Sequence, residues 1–93
     1  MIAVIAKLPV KAGSETEFET AFLALAAAVR ENELGNHLYT LCKNDDGYLV
    51  MELYEDEAAL EAHGKTTHFK ELGAALGPYM AGRPEISRLQ VVG

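Results

Sequence analysis

Residues 36–54, NHLYTLCKNDDGYLVMELY, contain two strand-like runs on either side of a turn. Residues 36–43 alternate only partly between apolar and polar side chains, whereas residues 48–54 are mostly apolar. The four residues at 44–47 (NDDG) are asparagine, two aspartates and glycine, which are typical of turns. The stretch therefore predicts a β-hairpin in the middle of the chain.

Two further strands are predicted near the two ends of the chain. Residues 2–8 (IAVIAKL) are rich in β-branched side chains and are followed by Pro9, which favours a strand over a helix. Ile86 to Val92 follows the stop signal Gly82-Arg83-Pro84 and is predicted as the last strand.

A long amphipathic helix is predicted between the first strand and the hairpin. Ser14 and Glu17 have the spacing of a capping box, in which each side chain accepts a hydrogen bond from a free backbone N–H. Gly35 is predicted as the C-cap region of the helix. The apolar residues that share one face at helical spacing are Phe18, Ala21, Phe22, Leu25, Ala26 and Val29.

Two shorter helices are predicted after the hairpin. Asp56 is placed to cap the first of them, which should end at Gly64. Thr66 or Thr67 is placed to cap the second, and Gly77-Pro78 should end or bend it. The apolar stripe of this second helix consists of Phe69, Leu72, Leu76 and Tyr79.

The element order β-α-β-β-α-α-β predicts an α+β fold of the ferredoxin-like type. Its usual form is a four-stranded antiparallel sheet with the helices packed on one face. The 93 residues are enough for one domain, residues 1–93, and leave no room for a second.

The first strand and the start of the third are apolar at consecutive positions, so both faces of the sheet favour burial. Because the helices can cover only one face, the simplest cover for the other is a second copy of the sheet. This predicts a homodimer through the sheet face. The alternative is a central strand in a monomer that tolerates an exposed apolar patch.

Composition excludes several classes of partner. The net charge is −6 and the eight basic residues are scattered, so nucleic acid is not expected to bind. No segment approaches the ~20 apolar residues of a membrane span. The short apolar N-terminus lacks a basic region and is interpreted as a strand, not a signal peptide. The single cysteine, Cys42, predicts a reducing compartment and a cytoplasmic location.

Two stretches resemble the antibiotic biosynthesis monooxygenase family. Residues 35–41, GNHLYTL, are similar to the family's entry into the second strand, where a tyrosine follows a glycine and three intervening residues. Residues 51–69, MELYEDEAALEAHGKTTHF, resemble its run of Glu-x-aromatic, acidic turn, Ala-Leu, x-x-His and second His-Phe. Length and element order match along the whole chain.

The resemblance implies a dimeric α+β barrel with a pocket between the sheet and the helices of each subunit. Some family members oxidise phenols or quinols without metal, flavin or haem, whereas others isomerise small sugar-like phosphates, degrade haem or have no known activity. We therefore expect a cofactor-independent monooxygenase for a small aromatic, quinol-like substrate. The alternatives are an isomerase or cyclase for a small carbonyl compound and a non-catalytic dimeric binding or stress-response module.

His63, His68 and Tyr39 are the predicted catalytic residues. His63 matches the first histidine of the family's run, and imidazole is suited to acid–base work at neutral pH. It could instead cap the last carbonyls of its helix. His68 lies in the first turn of the next helix, where an ordinary capping role is the alternative. Tyr39 could donate a hydrogen bond to an oxyanion, although tyrosine rings are also common in cores.

Tyr54, Glu52, His37 and Asn36 are the predicted substrate-binding residues. Glu52 interrupts an apolar strand, so its carboxylate should either pair, for example with Arg88 or across the dimer, or line a cavity. His37 should share a face with Tyr39 by the period of two in a strand.

Departures from the family narrow the expected chemistry. The chain has no tryptophan, Tyr54 stands where several oxygenating or haem-degrading members carry one, and Val50 is apolar where an oxygenase would present an amide. Haem degradation is therefore not expected. No metal site is expected either, because His63 and His68 are five residues apart across Gly64, unlike a helical pair of metal ligands.

Overall fold

The computed structural model describes all 93 residues and contains one four-stranded antiparallel sheet with three α-helices against one face. This is the predicted ferredoxin-like α+β fold. In chain order the elements are β1 (Ile2–Leu8), α1 (Glu15–Asn32), β2 (Asn36–Asn44), β3 (Gly47–Tyr54), α2 (Glu57–Lys65), α3 (Thr67–Ala74), a 3₁₀ turn (Gly77–Tyr79) and β4 (Glu85–Gln90). None of the helices has the length and apolar character needed to cross a membrane.

The strands are arranged in the order β2-β3-β1-β4. In the register of the sheet, Tyr39 pairs with Glu52, Glu52 with Val4, and Val4 with Arg88. These four residues therefore form one row across the sheet and point to the same face. That face is the one that packs against the helices, since Tyr39, Glu52 and Val4 are all buried.

The core lies between α1 and the helix-facing side of β1, β2 and β3. Alternate residues of β1 and β3 are buried, as expected for strands with one covered face. The predicted apolar face of α1 is confirmed, and its fully buried side chains are Phe18, Phe22, Leu25, Ala26 and Val29.

The opposite face of the sheet has no helix on it and is apolar. Ile5, Leu38, Met51 and Leu89 lie on this helix-free face and are 36%, 40%, 42% and 45% exposed. Both faces of the sheet were expected to be buried. In the single chain the helices bury one face, and the other face remains exposed.

The junction between α2 and α3 has the caps that the sequence predicts, although α2 ends at Lys65 and not at the predicted Gly64. The Asp56 carboxylate accepts a hydrogen bond from the Ala59 N–H at 2.8 Å and caps α2. Thr66 separates the two helices: its hydroxyl donates to the carbonyl of His63 at 2.9 Å and accepts from the Phe69 N–H at 3.2 Å. One residue thus ends α2 and starts α3, which fixes His63 relative to Phe69.

The predicted capping box does not form, and the C-cap of the helix is Glu33, two residues before Gly35. Ser14 has φ −103° and ψ 10°, not the extended backbone that a cap requires, and its side chain accepts no capping hydrogen bond. The helix ends at Asn32, before Gly35. A Cβ on Gly35 would lie 2.5 Å from the Ala59 Cβ, so glycine is needed there for close packing against α2.

Two element boundaries also differ from the prediction. The second short helix ends at Ala74, and Leu76 and Tyr79 lie after it, because Gly77 and Pro78 begin a separate 3₁₀ turn. The last strand ends at Gln90, so Val91 and Val92 extend beyond the ladder with β1.

Candidate active site

A cavity of about 570 Å³ lies between the helix-facing side of the sheet and helices α2 and α3. Thirteen of its 22 lining residues are hydrophobic, and the polar groups Tyr39, Glu52 and His63 converge among them. A depression of about 680 Å³ near the hairpin turn has only three hydrophobic residues among 14 and contains none of these groups. The apolar cavity therefore has the character of a small-molecule site.

His63 is buried, with only 5% of its surface exposed, and is held by a carboxylate. Its Nδ1 lies 2.8 Å and 3.0 Å from the two carboxylate oxygens of Glu33, the residue that follows α1. Because an ionised carboxylate only accepts hydrogen bonds, Nδ1 carries the proton in this pair. In the neutral imidazole this leaves the lone pair on Nε2.

The Nε2 atom of His63 has no hydrogen-bond partner within the chain and is not sealed from solvent. Since His63 lines the cavity, this nitrogen is available to a molecule bound there. The arrangement of a carboxylate, an imidazole and a free ring nitrogen is that of a general base with its orienting group.

Aromatic rings enclose the His63 imidazole on several sides. The ring centroids of Phe69, Tyr54 and Tyr39 lie 4.5 Å, 5.3 Å and 5.4 Å from that of His63, all in tilted arrangements. These contacts restrict rotation of the imidazole and provide flat apolar surface next to the free nitrogen.

His68 contacts the same carboxylate from α3. Its Nε2 lies 2.5 Å from the second carboxylate oxygen of Glu33, and its side chain is 17% exposed. His68 is absent from the cavity lining, so its contact with the site is through Glu33. One carboxylate thus ties the end of α1 to both α2 and α3.

Glu52 is a buried carboxyl group on the cavity wall. Its pKa is raised from 4.5 to about 7, mainly by burial and further by the Glu33 charge, while the hydrogen bond from the Tyr54 hydroxyl, 2.6 Å away, acts in the opposite direction. The expected ion pair with Arg88 does not form. Arg88 instead contacts Glu57 at 3.3 Å, because Val4 separates it from Glu52 in the register of the sheet. Glu52 is therefore able to exchange a proton near neutral pH.

Two tyrosines add hydrogen-bond donors to the site. Burial, together with the charges of Glu52 and Glu33, raises the pKa of Tyr39 far above its usual range, so its hydroxyl keeps its proton. The Tyr39 hydroxyl has no partner in the chain and is not sealed from solvent, and Tyr39 lines the cavity. Burial and the hydrogen bond to Glu52 likewise raise the pKa of Tyr54.

The structure places His37 and Asn36 outside the cavity. The register between β2 and β3 shifts between Asn36 and Leu38, so His37 is an extra residue in a bulge and has no partner on β3. The alternation from which a shared face with Tyr39 was predicted is therefore interrupted at His37. The His37 imidazole pairs with the half-exposed Glu55, and the Asn36 amide donates to the carbonyl of Leu38 at 3.0 Å.

Glu33 is the residue that the sequence analysis missed. Its side chain is only 8% exposed, although it lies in a connection between two elements. The only local signal was an acidic residue at the C-terminal end of a helix, where the helix dipole disfavours negative charge. No cluster of three or more histidine, cysteine, aspartate or glutamate side chains is placed to hold a metal ion.

The fold and the site together define a class of small α+β domains in which a ferredoxin-like sheet and its helices enclose a ligand pocket. A family model described as antibiotic biosynthesis monooxygenase matches residues 1–75. The chain belongs to this family, as its resemblance predicted.

Solved structures agree with this assignment. A Caulobacter crescentus CB15 protein, named as a candidate antibiotic biosynthesis monooxygenase, is 45% identical over 99% of this chain and 90% of its own, with a TM-score of 0.94. A conserved protein from Methanosarcina mazei Go1 is 26% identical over 96% and 90%, with a TM-score of 0.87. PA3566 from Pseudomonas aeruginosa is 25% identical over 99% and 94%, with a TM-score of 0.85. A search of curated proteins found no significant match.

Proposed function

We propose that this protein is a cofactor-independent monooxygenase that oxidises a small quinol-like aromatic substrate in the cavity between its sheet and helices. The observation that carries the proposal is the buried Glu33–His63 pair, in which Nδ1 is held by the carboxylate and Nε2 is free at the cavity. Family membership supports the same reaction class.

The first step is removal of a hydroxyl proton from the substrate. His63 Nε2 accepts this proton, and the Glu33 carboxylate stabilises the imidazolium that forms. The Tyr39 hydroxyl donates a hydrogen bond to the resulting oxyanion, which is worth more in an apolar cavity than in water. The aromatic rings around His63 provide a surface on which the substrate ring can stack.

The second step is reaction of the electron-rich anion with dioxygen. An electron passes from the quinol anion to oxygen, and the two radicals combine to form a C–O bond at the ring carbon ortho to the deprotonated hydroxyl. The peroxide anion takes back the proton held by His63 and becomes a hydroperoxide. The hydroperoxide then loses the proton on that carbon, its O–O bond breaks and water leaves. One oxygen atom ends in a hydroxyquinone and the other in water, so the substrate itself supplies all the electrons.

A second candidate function is isomerisation or cyclisation of a small carbonyl compound. Glu52 favours it, because a second group that exchanges protons near neutral pH is what enolisation and reprotonation require. Exchange of deuterium into a substrate carbon without oxygen would distinguish this reaction from oxygenation. A purely structural binding module is less well supported, since the cavity is open and not filled by packed side chains.

Oxygen consumption with a panel of hydroquinones tests the main proposal. We expect uptake by the wild type, incorporation of one atom of labelled oxygen into the product, and loss of uptake in His63→Gln, which keeps a side chain of similar size but removes the base. His37→Gln is the matched control, because His37 lies outside the cavity. Equal uptake by His63→Gln and wild type, or hydrogen peroxide in place of a labelled product, would contradict the proposal.

We further propose that the protein is a homodimer through the helix-free face and is cytoplasmic. The four large hydrophobic residues exposed on that face support the dimer, since such patches are commonly interfaces. The single cysteine, Cys42, is free and exposed, which suits a reducing compartment.

A further inference from the structure

Two cations lie at the mouth of the cavity. Arg88 lies on β4, whose residues are all exposed, and Lys70 lies on α3; both line the cavity and are exposed to solvent. The only carboxyl group among the lining residues is Glu52, whose burial favours its neutral form up to about pH 7. In a chain of net charge −6, the residues that line this cavity therefore carry an excess of positive charge.

The row of paired residues across the sheet determines the distance between Arg88 and the end of the cavity that contains Glu52 and His63. Glu52 and Arg88 both pair with Val4, one on each side, so their Cα atoms are about 10 Å apart. His63 lies at the Glu52 end, because its ring contacts both Tyr54 and Tyr39. The space over Val4 suits one benzene ring that carries a hydroxyl at one end and an anionic group at the other.

The Arg88 guanidinium is available to such a group. Its contact with Glu57 is 3.3 Å long, and the two side chains are 55% and 79% exposed, so water weakens the pair. A guanidinium has five N–H donors in a planar fork, which leaves donors free for a second carboxylate in bidentate geometry.

We propose that Arg88 is a specificity-determining residue that binds the carboxylate of a phenolic or quinol acid, with Lys70 adding positive charge at the same opening. The aromatic ring then lies over Val4 and its hydroxyl reaches His63. The assignment of the hydroxyl end rests on the proposed function, whereas the assignment of the carboxylate end is tested by binding alone.

Equilibrium binding without oxygen tests the proposal by titration calorimetry at about pH 6, where Glu52 is mostly protonated. The probes are 2,5-dihydroxybenzoate, its neutral amide and hydroquinone. For the wild type we expect the carboxylate to bind about tenfold more tightly than the amide, as one charge-assisted pair in a partly solvated site provides. Arg88→Gln should remove most of this preference, leaving only the part due to Lys70, without changing the affinity for hydroquinone.

Two further variants control for net charge and for geometry. Arg83→Gln removes the same charge from a residue that does not line the cavity, and it should keep the full preference for the carboxylate. Arg88→Lys keeps the charge but loses the planar fork, and it should keep only part of the preference. An equal affinity of the wild type for carboxylate and amide, or an unchanged preference in Arg88→Gln, would overturn the inference.

The proposed function and this inference can fail separately. A carboxylate preference that depends on Arg88, without any oxygen uptake, would overturn the monooxygenase reaction and leave the anion site standing. The opposite result is equal oxygen uptake with hydroquinone and with the acid, in both the wild type and Arg88→Gln. It would overturn the anion site and leave the proposed reaction standing.

Discussion

Ionisation of the buried Glu52 should lower the stability of the folded protein at neutral and alkaline pH. Replacing Glu52 by glutamine should remove this loss of stability. The carboxyl group lines an apolar cavity and is only 9% exposed, so burial disfavours its charged form. Glutamine has nearly the same shape, and its amide oxygen can still accept the hydrogen bond from the Tyr54 hydroxyl. The substitution therefore removes the titration while leaving the packing almost unchanged.

The magnitude follows from the raised pKa of Glu52. Its pKa is 4.5 when solvated and about 7 in the folded protein. Between these values the folded state binds more protons than the unfolded state, so stability is highest below pH 4.5 and falls as the pH rises through about 7. At 1.36 kcal/mol for each pH unit, the full loss is about 3 kcal/mol.

Urea unfolding followed by far-ultraviolet circular dichroism, at about pH 5 and about pH 8, measures the effect. The free energy of unfolding of Glu52→Gln, minus that of the wild type, should rise by about 2.5 kcal/mol from the lower to the higher pH, since part of the full loss has already occurred at about pH 5. Using the difference cancels the titration of the three histidines, which both proteins share. Protein concentration is kept constant, because the stability of a dimer depends on it.

A matched control is Glu61→Gln, which removes a carboxylate on α2 whose side chain is 70% exposed. An exposed group is solvated in both the folded and the unfolded state, so its variant should differ from wild type by a similar amount at both pH values. If Glu52→Gln behaves in the same way as this control, the argument that burial perturbs Glu52 is refuted.

Two further predictions concern packing and assembly. Gly35→Ala should destabilise the protein by about 1–3 kcal/mol in urea unfolding, because its Cβ would lie 2.5 Å from that of Ala59. Gly64→Ala, in α2 with open space around it, should instead stabilise the protein by about 0.5–1 kcal/mol. An equal effect of the two substitutions on stability would contradict the close-packing argument. Met51→Glu places a charge on the helix-free face and should halve the mass measured by sedimentation. Leu34→Glu, in the α1–β2 connection, should leave the mass unchanged. An unchanged mass for Met51→Glu would rule out this face as the interface.

Much of the fold could be predicted because strands, helix faces and helix caps depend on residues that are close together in the sequence. β1 was predicted with its observed bounds, and the apolar face of α1 followed from helical spacing alone. Asp56 and Thr66 were recognised as caps because a cap needs only its own side chain and a backbone N–H three residues away. The Ser14 cap failed because its backbone does not adopt the extended conformation, which no residue type guarantees.

The candidate site was predictable in part. Glu52 was singled out because a carboxyl group in an apolar strand has few explanations, and His63 because of the family's run of residues. His37 was expected to bind substrate, but it is the extra residue of a bulge and lies outside the cavity, and the local pattern of residue types does not predict a bulge there.

By itself, the sequence determined the element order, the family, and the presence of apolar residues on both faces of β1 and β3. Only the tertiary structure decided that Glu33, 30 residues before His63, holds its imidazole and turns the free nitrogen toward a cavity. The reason is that helix and strand periodicity act over a few residues, whereas a hydrogen bond between distant residues depends on how whole elements pack. The same packing decides that Arg88 lies two strands from Glu52 and does not neutralise it.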